Sequence, residues 1–213
     1  MNCKKIFLAC VLAVGSAFAV QAQDVFSAGD NQAYLSFGGV KLTNVTGSSN
    51  GVMVGYNHSF AFVDDRPAFW RAGVSYRYFF DKSDGQIKSR IVSSLKQTFH
   101  EVCVPLSVGY NFQIANNDAF CIAPYAGIDV SCFLSGQIKY DDLDGRIKLS
   151  VFDEDDMNLI LSETAKRFQL GWHVGTDIML NQLMFKLSYN RDFTKFYYDE
   201  KLSYYSIGLG FVF

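Results

Sequence analysis

The sequence predicts an all-β fold: a transmembrane barrel of eight antiparallel strands in up-and-down order. Three observations predict it. Large apolar residues alternate with small or polar ones at period two through eight segments, and no helical period persists after residue 22. The connections sort by parity, tight after even-numbered segments and long and polar after odd-numbered ones. The glycines Gly38, Gly55, Gly73, Gly109, Gly127, Gly171, Gly175, Gly208 and Gly210 all fall on the smaller face. On a water-facing strand they would cost entropy and pack nothing, whereas inside a narrow barrel they leave room for long side chains. The larger face then points to lipid, and closing the sheet satisfies every backbone group.

Residues 1–22 read as a cleavable export signal. Lys4 and Lys5 precede an apolar run over 6–20, and Ala22 is a small residue suited to cleavage. The run is shorter than the ~20 residues a spanning helix needs. A cut after Ala22 is expected, with Ala19 the second choice, leaving 23–213 as one domain. Cys10 lies within the run, too early for a lipid-anchored cysteine. Acidic side chains number 21 and basic ones 19, two of the latter in the leader, and no basic cluster marks a nucleic-acid partner. Cys103, Cys121 and Cys132 remain, an odd number that leaves at least one thiol unpaired. Their spacing suggests no zinc site, and no cofactor is expected.

The first and second strands are expected over 33–43 and 51–62. The third, 68–80, sends Trp70, Ala72, Val74, Tyr76, Tyr78 and Phe80 outward and Arg71, Gly73, Ser75 and Arg77 inward. The fourth, 96–113, opposes Val102, Val104, Leu106 and Val108 to Glu101, Cys103, Pro105 and Ser107. The fifth spans 119–138. The sixth, 168–180, points Gln169, His173 and Asp177 inward, and the seventh, 183–192, does so with Lys186, Asn190 and Asp192. The eighth is 202–213. Pro105 and Pro124 interrupt the fourth and fifth strands, and each is expected to mark a bulge, because a closed barrel has no edge to take a proline.

Connections 44–50, 81–95, 139–167 and 193–201 are the long ones; 63–67, 114–118 and the pair Asn181 and Gln182 are the turns. A two-residue turn sets Leu180 opposite Leu183 and therefore Asp177 opposite Lys186. The same kind of count separates Cys103 and Cys121 by over ~25 Å, which excludes a disulfide between them. Aromatic residues gather at two levels: Trp70, Tyr110, Phe112, Phe211 and Phe213 near the turns, and Tyr78, Phe80, Trp172, Tyr189 and Tyr205 near the loops. Lys41 and Arg191 are lipid-facing only at loop-side ends, where a charge costs about 0–1 kcal/mol.

The inward charges are Arg71, Arg77, Glu101, Asp129, Asp177, Lys186 and Asp192. With signs nearly balanced they read as a paired polar core rather than an ion-selecting ring. The acids of 139–167 lack the alternating spacing of an EF-hand and read as a solvated loop, which leaves ligand or host contact through that loop open. His58 and Ser59, like His100 and Glu101, are strand neighbours that point to opposite faces and cannot share a proton. His173 lies inward near Asp177, a position that fits a core hydrogen bond as well as chemistry.

Segments 102–110 (VCVPLSVGY), 123–129 (APYAGID), 170–177 (LGWHVGTD) and 185–189 (FKLSY) together resemble the porin-like outer-membrane β-barrel family common in Bacteroides-type bacteria. The C-terminal stretch, with Ser206, Gly208, Phe211 and Phe213, resembles the terminal signal by which bacterial outer-membrane barrels are recognised for insertion. The resemblance implies an eight-stranded barrel in the Gram-negative outer membrane, surrounded by lipid and delivered by the barrel-assembly machinery after crossing the periplasm. It implies no catalytic residues. The function expected is a structural or surface-interaction barrel displaying its loops. A narrow diffusion channel is the alternative, and a lipid-modifying enzyme a third reading.

Overall fold

The computed structural model describes residues 31–42, 49–62, 67–87, 90–113, 120–142, 145–156, 164–197 and 200–213; at 42, 82–87, 90–95, 141–142 and 145–146 only the backbone path is described. Ten strands form one sheet: β1 (Asn31–Leu42), β2 (Ser49–Ala61), β3 (Ala68–Ile87), β4 (Arg90–Tyr110), β5 (Phe112–Gln113), β6 (Phe120–Asp142), β7 (Gly145–Ser150), β8 (Phe168–Leu180), β9 (Leu183–Asp192) and β10 (Leu202–Val212). The path runs β4-β3-β2-β1-β10-β9-β8-β6, and β4 pairs with β6 to close it. The short β5 continues the line of β4, and β7 is an arm folded back on β6. Eight antiparallel staves therefore make a closed up-and-down barrel, with no open edge along the wall.

The seam is completed by the chain's last residue. Phe213 and Asn31 exchange backbone hydrogen bonds of 2.9 and 3.0 Å, and β10 pairs with β1 from Val212 opposite Gln32 to Leu202 opposite Leu42. The tightest turn falls at Asn181 and Gln182. Asn181 adopts a φ of 52°, a left-handed conformation that asparagine tolerates better than most residues. Leu180 accordingly faces Leu183, and Asp177 faces Lys186.

Two expectations need correction. Pro105 and Pro124 do not shift the register. The β3–β4 ladder lapses opposite Pro105 and resumes unchanged, with Ala72 opposite Leu106 and Ser75 opposite Cys103. Pro124 faces Thr176 in an unbroken β6–β8 ladder. On its other side the ladder lapses between Gly109 opposite Tyr125 and Phe112 opposite Ile122, again in one register. A proline lacks one donor, so the sheet gives up ladder positions on one side only. The shifts fall instead at Ser83/Gly85 in β3 and opposite His100/Glu101, where Leu134 is the extra residue of β6.

The second correction concerns the long loops. β3, β4 and β6 run 20, 21 and 23 residues, against 10–13 for most other staves. Pairing continues from Lys82 opposite Lys96 to Ile87 opposite Arg90, so most of 81–95 is hairpin. Likewise 139–167 contains the end of β6 and all of β7. Beyond the apolar band the outer face meets water instead of lipid, so the contrast that a search for hydrophobic period two depends on fades.

Outward and inward faces separate cleanly. Leu35, Phe37, Val54, Val74, Tyr76, Val108, Ile128, Phe185, Ile207, Leu209 and Phe211 are exposed, while Gln32, Ser36, Arg71, Arg77, Glu101, Asp129, Asp177 and Lys186 are buried. No helix among the described residues is long and apolar enough to cross a membrane. The apolar surface belongs to the wall.

Candidate functional site: the charged lumen

Each lumen side chain is placed by strand parity, and the register decides which of them meet. Asp177 of β8 lies between two cations: Arg71 Nη1 at 2.6 Å from Oδ2 and Lys186 Nζ at 3.1 Å from Oδ1. Arg71 Nε also donates to Ser59 Oγ at 3.1 Å. One level toward the loops, Asp129 of β6 gathers three partners. Arg77 Nη2 lies 3.1 Å from Oδ2, Asn190 Nδ2 donates to Oδ2 at 2.6 Å, and His173 Nδ1 is 2.8 Å from Oδ1. His173 is thus bound to Asp129, not to Asp177 as its position along β8 suggests, because the neighbouring strand brings a carboxylate closer. Arg77 also faces Glu101 at 3.6 Å. Asp192, 4% exposed, has no ion pair among the described residues.

Aromatic rings pack against the cations. Lys186 Nζ sits 4.4 Å from the centre of the Tyr125 ring and 4.9 Å from that of Tyr34; Arg77 stacks at 5.1 Å on Tyr204. These rings need the glycines beneath them. A methyl group at Gly55 would strike the Tyr34 ring, and one at Gly175 the Tyr125 ring.

Apolar clusters bound the charged layers. Toward the turns, Tyr34, Met53, Phe69, Ala123, Tyr125, Met179 and Met184 pack together. Toward the loops, Phe79, Phe133, Leu202 and Tyr204 meet Val151, Ala165 and Phe196. The last three come from connections, and backbone bonds hold them over the mouth: Val151 N to Gly136 O (3.1 Å), Ala165 N to Val151 O (3.0 Å) and Lys166 N to Phe196 O (2.8 Å). Sequence reading missed this cap. Its signal was present, since Val151, Phe152 and Phe196 are apolar residues within connections that read as solvated. A cavity of about 30 Å³ remains between Arg71, Arg77, His173, Tyr125 and Lys186, and one of about 10 Å³ lies beside Phe79 and Tyr204. A water molecule needs at least ~10–15 Å³, so these gaps fit one or two waters each at most.

The remaining candidates lie apart from this layer. His58 Nδ1 is 2.7 Å from Asn31 Oδ1 on the outer face, whereas Ser59 points inward to Arg71. His100 bonds to the Tyr76 hydroxyl outside, while Glu101 lies inside. Asp153 Oδ1 accepts from the Asp155 and Asp156 amides, and Asp156 Oδ2 from the Ser150 amide, which makes this acidic run a set of local caps. Residues 141–144, the other acidic run, lie outside the described side chains. Cys103 is fully buried, and neither it nor Cys121 is disulfide-bonded. Of the terminal segment, Ser206 is buried and shares a 2.7 Å hydrogen bond with Ser188; Gly208 accommodates the Ser36 side chain; Phe211 and Phe213 are exposed outside.

A closed eight-stave barrel with an apolar exterior and a polar, filled interior defines a class of bacterial membrane protein. The model of the outer membrane protein beta-barrel domain family matches residues 10–213, and the chain belongs to that family. Its place is the outer membrane. Among solved structures it is similar to Ail, the attachment invasion locus protein of Yersinia pestis, seen in complex with the heparin analogue sucrose octasulfate. The two are 12% identical over 87% of this chain and 99% of that one, with a TM-score of 0.50. It is equally similar to a major outer membrane protein of Thermus thermophilus, at 14% identity, 87% and 100% coverage and a TM-score of 0.50. At such identities the likeness is one of fold. No curated protein matches the chain in sequence.

Proposed function

We propose that the protein is a non-enzymatic outer-membrane barrel that displays its long hairpins to the outside and conducts no solute. The observation that carries this reading is the filled lumen among the described residues: two tiers of buried ion pairs between two apolar clusters, around cavities of about 30 and 10 Å³. In this reading Arg71, Arg77, Glu101, Asp129, Asp177 and Lys186 serve as an internal brace, with Asp192 buried beside it. Residues 1–22 are removed on export, and the segment ending in Phe211 and Phe213 is what the assembly machinery reads. Catalysis is disfavoured because the His173–Asp129 pair is enclosed within the brace, and His58 and Ser59 occupy opposite faces. The hairpin of β3 and β4, and the arm of β6 and β7, stand clear of the apolar band and are the surfaces free to meet a ligand or a host cell.

The test is protease treatment of intact cells. Cuts are expected within 81–95 and 139–167, with 63–67 and 114–118 spared until the envelope is opened. Cleavage at 63–67 in intact cells, with 139–167 spared, would invert the orientation and remove the basis for display.

A further inference from the structure

The register aligns four lysines across four adjacent strands. Lys82 of β3 stands opposite Lys96 of β4, Lys96 opposite Lys139 of β6, and Lys139 opposite Lys148 of β7. Directly opposed residues share a sheet face. For Lys96 and the lysines opposite it, that face is the outer one, because Phe80, exposed on the wall, stands opposite Thr98, two residues from Lys96. From Lys96 to Lys148 the row spans two strand spacings, about 10 Å. Lys96 and Lys148 are exposed and Lys139 is half-buried; among the described residues no carboxylate pairs with any of these three.

Like charges placed directly opposite one another destabilise a sheet. Lysine is a common guard on exposed strand edges, but Lys96 and Lys139 sit on the two inner strands of this extension, where there is no edge to guard. The row therefore calls for a negative counterpart. Its height identifies one. Two residues beyond Phe80, on strands tilted by about 40°, these positions lie about 5 Å above the loop-side aromatic level, on the face turned sideways to the leaflet.

We infer that the Lys96–Lys139–Lys148 row binds the phosphorylated headgroup of an outer-leaflet glycolipid, one headgroup meeting several ammonium groups. From the proposed function this takes only the outward orientation of the hairpins; it stands whether or not the lumen conducts.

The experiment uses the mature chain refolded in zwitterionic micelles, titrated with a bisphosphorylated glycolipid or with the same lipid after removal of its phosphates. Inorganic phosphate and a soluble polysulfated polysaccharide provide two further arms. The wild type should retain the phosphorylated lipid through gel filtration and discriminate against the dephosphorylated form. Lys96→Gln with Lys139→Gln should weaken binding about thirty-fold, from two lost phosphate-facing charges, and Lys96→Arg with Lys139→Arg should preserve it. Heat-modifiable migration on gels reports folding of each variant. Without glycolipid, the Gln variant should resist heat at least as well as wild type, since a like-charge repulsion has been removed. Equal retention of both lipids, unchanged binding by the Gln variant, or a Gln variant less heat-resistant than wild type without lipid would each overturn the proposal. Tighter binding of the soluble polysulfate or of inorganic phosphate than of the lipid would also overturn it, by moving the row's ligand out of the membrane.

Discussion

At the scale of single residues, the lumen distinguishes paired from unpaired charge. Asp177 is shared by Arg71 and Lys186, so Lys186→Ala leaves a buried carboxylate with one cation instead of two. Removing one member of a buried pair costs about 3–5 kcal/mol, and the remaining Arg71 places this variant near the lower end. Urea unfolding of the refolded barrel measures it. Asp129→Leu should cost more, because it strands Arg77, His173 and Asn190 together. Asp192 behaves in the opposite sense. It is buried with no ion pair among the described residues, so Asp192→Asn removes a desolvated charge and should raise stability by about 1–3 kcal/mol. A loss of stability in Asp192→Asn would show that this carboxylate has a partner after all. The inward position of every one of these side chains was legible from strand parity. Their partners were not, because pairing across the barrel axis depends on shear and on which strands lie opposite. Hence His173 could be placed inside from its own strand, while its bond to Asp129 could not be read there.

Among the elements, β10 carries the closure. Its last residue completes the ladder to Asn31, and its outer face ends in Phe211 and Phe213. Phe213→Asp places a charge at the membrane rim on the strand that must zip to β1. Its outer-membrane level should fall several-fold in cell fractionation, with precursor or periplasmic chain accumulating. Undiminished insertion would detach the terminal segment from assembly. Strand positions within the apolar band were readable because lipid outside and polar packing inside impose period two, and Asn181 with Gln182 fixed the register of β8 and β9 outright. The upper parts of β3, β4 and β6 and the whole of β7 were not readable. There water replaces lipid on the outer face and the alternation fades, although Ile138 packs against the apolar cap and Leu149 is buried. The prolines misled for a related reason: a missing donor is visible in sequence, but whether the sheet answers with a bulge or with a skipped bond is settled by the neighbouring strands.

For the molecule as a whole, the central claim is that the barrel is sealed. Among the described residues, seven buried charges of mixed sign, rings stacked on the cations and apolar clusters above and below fill the lumen. Removing the cap alone, for example by Phe196→Ser, should loosen the mouth yet leave the ion-paired tiers closed. The direct measurement is planar-bilayer recording on the refolded mature chain. The account predicts a flat baseline for the wild type and for Phe196→Ser. Stable, porin-sized single-channel steps in the wild type, altered in size or ion preference by Lys186→Ala, would contradict it and make the charged tiers a selectivity ring.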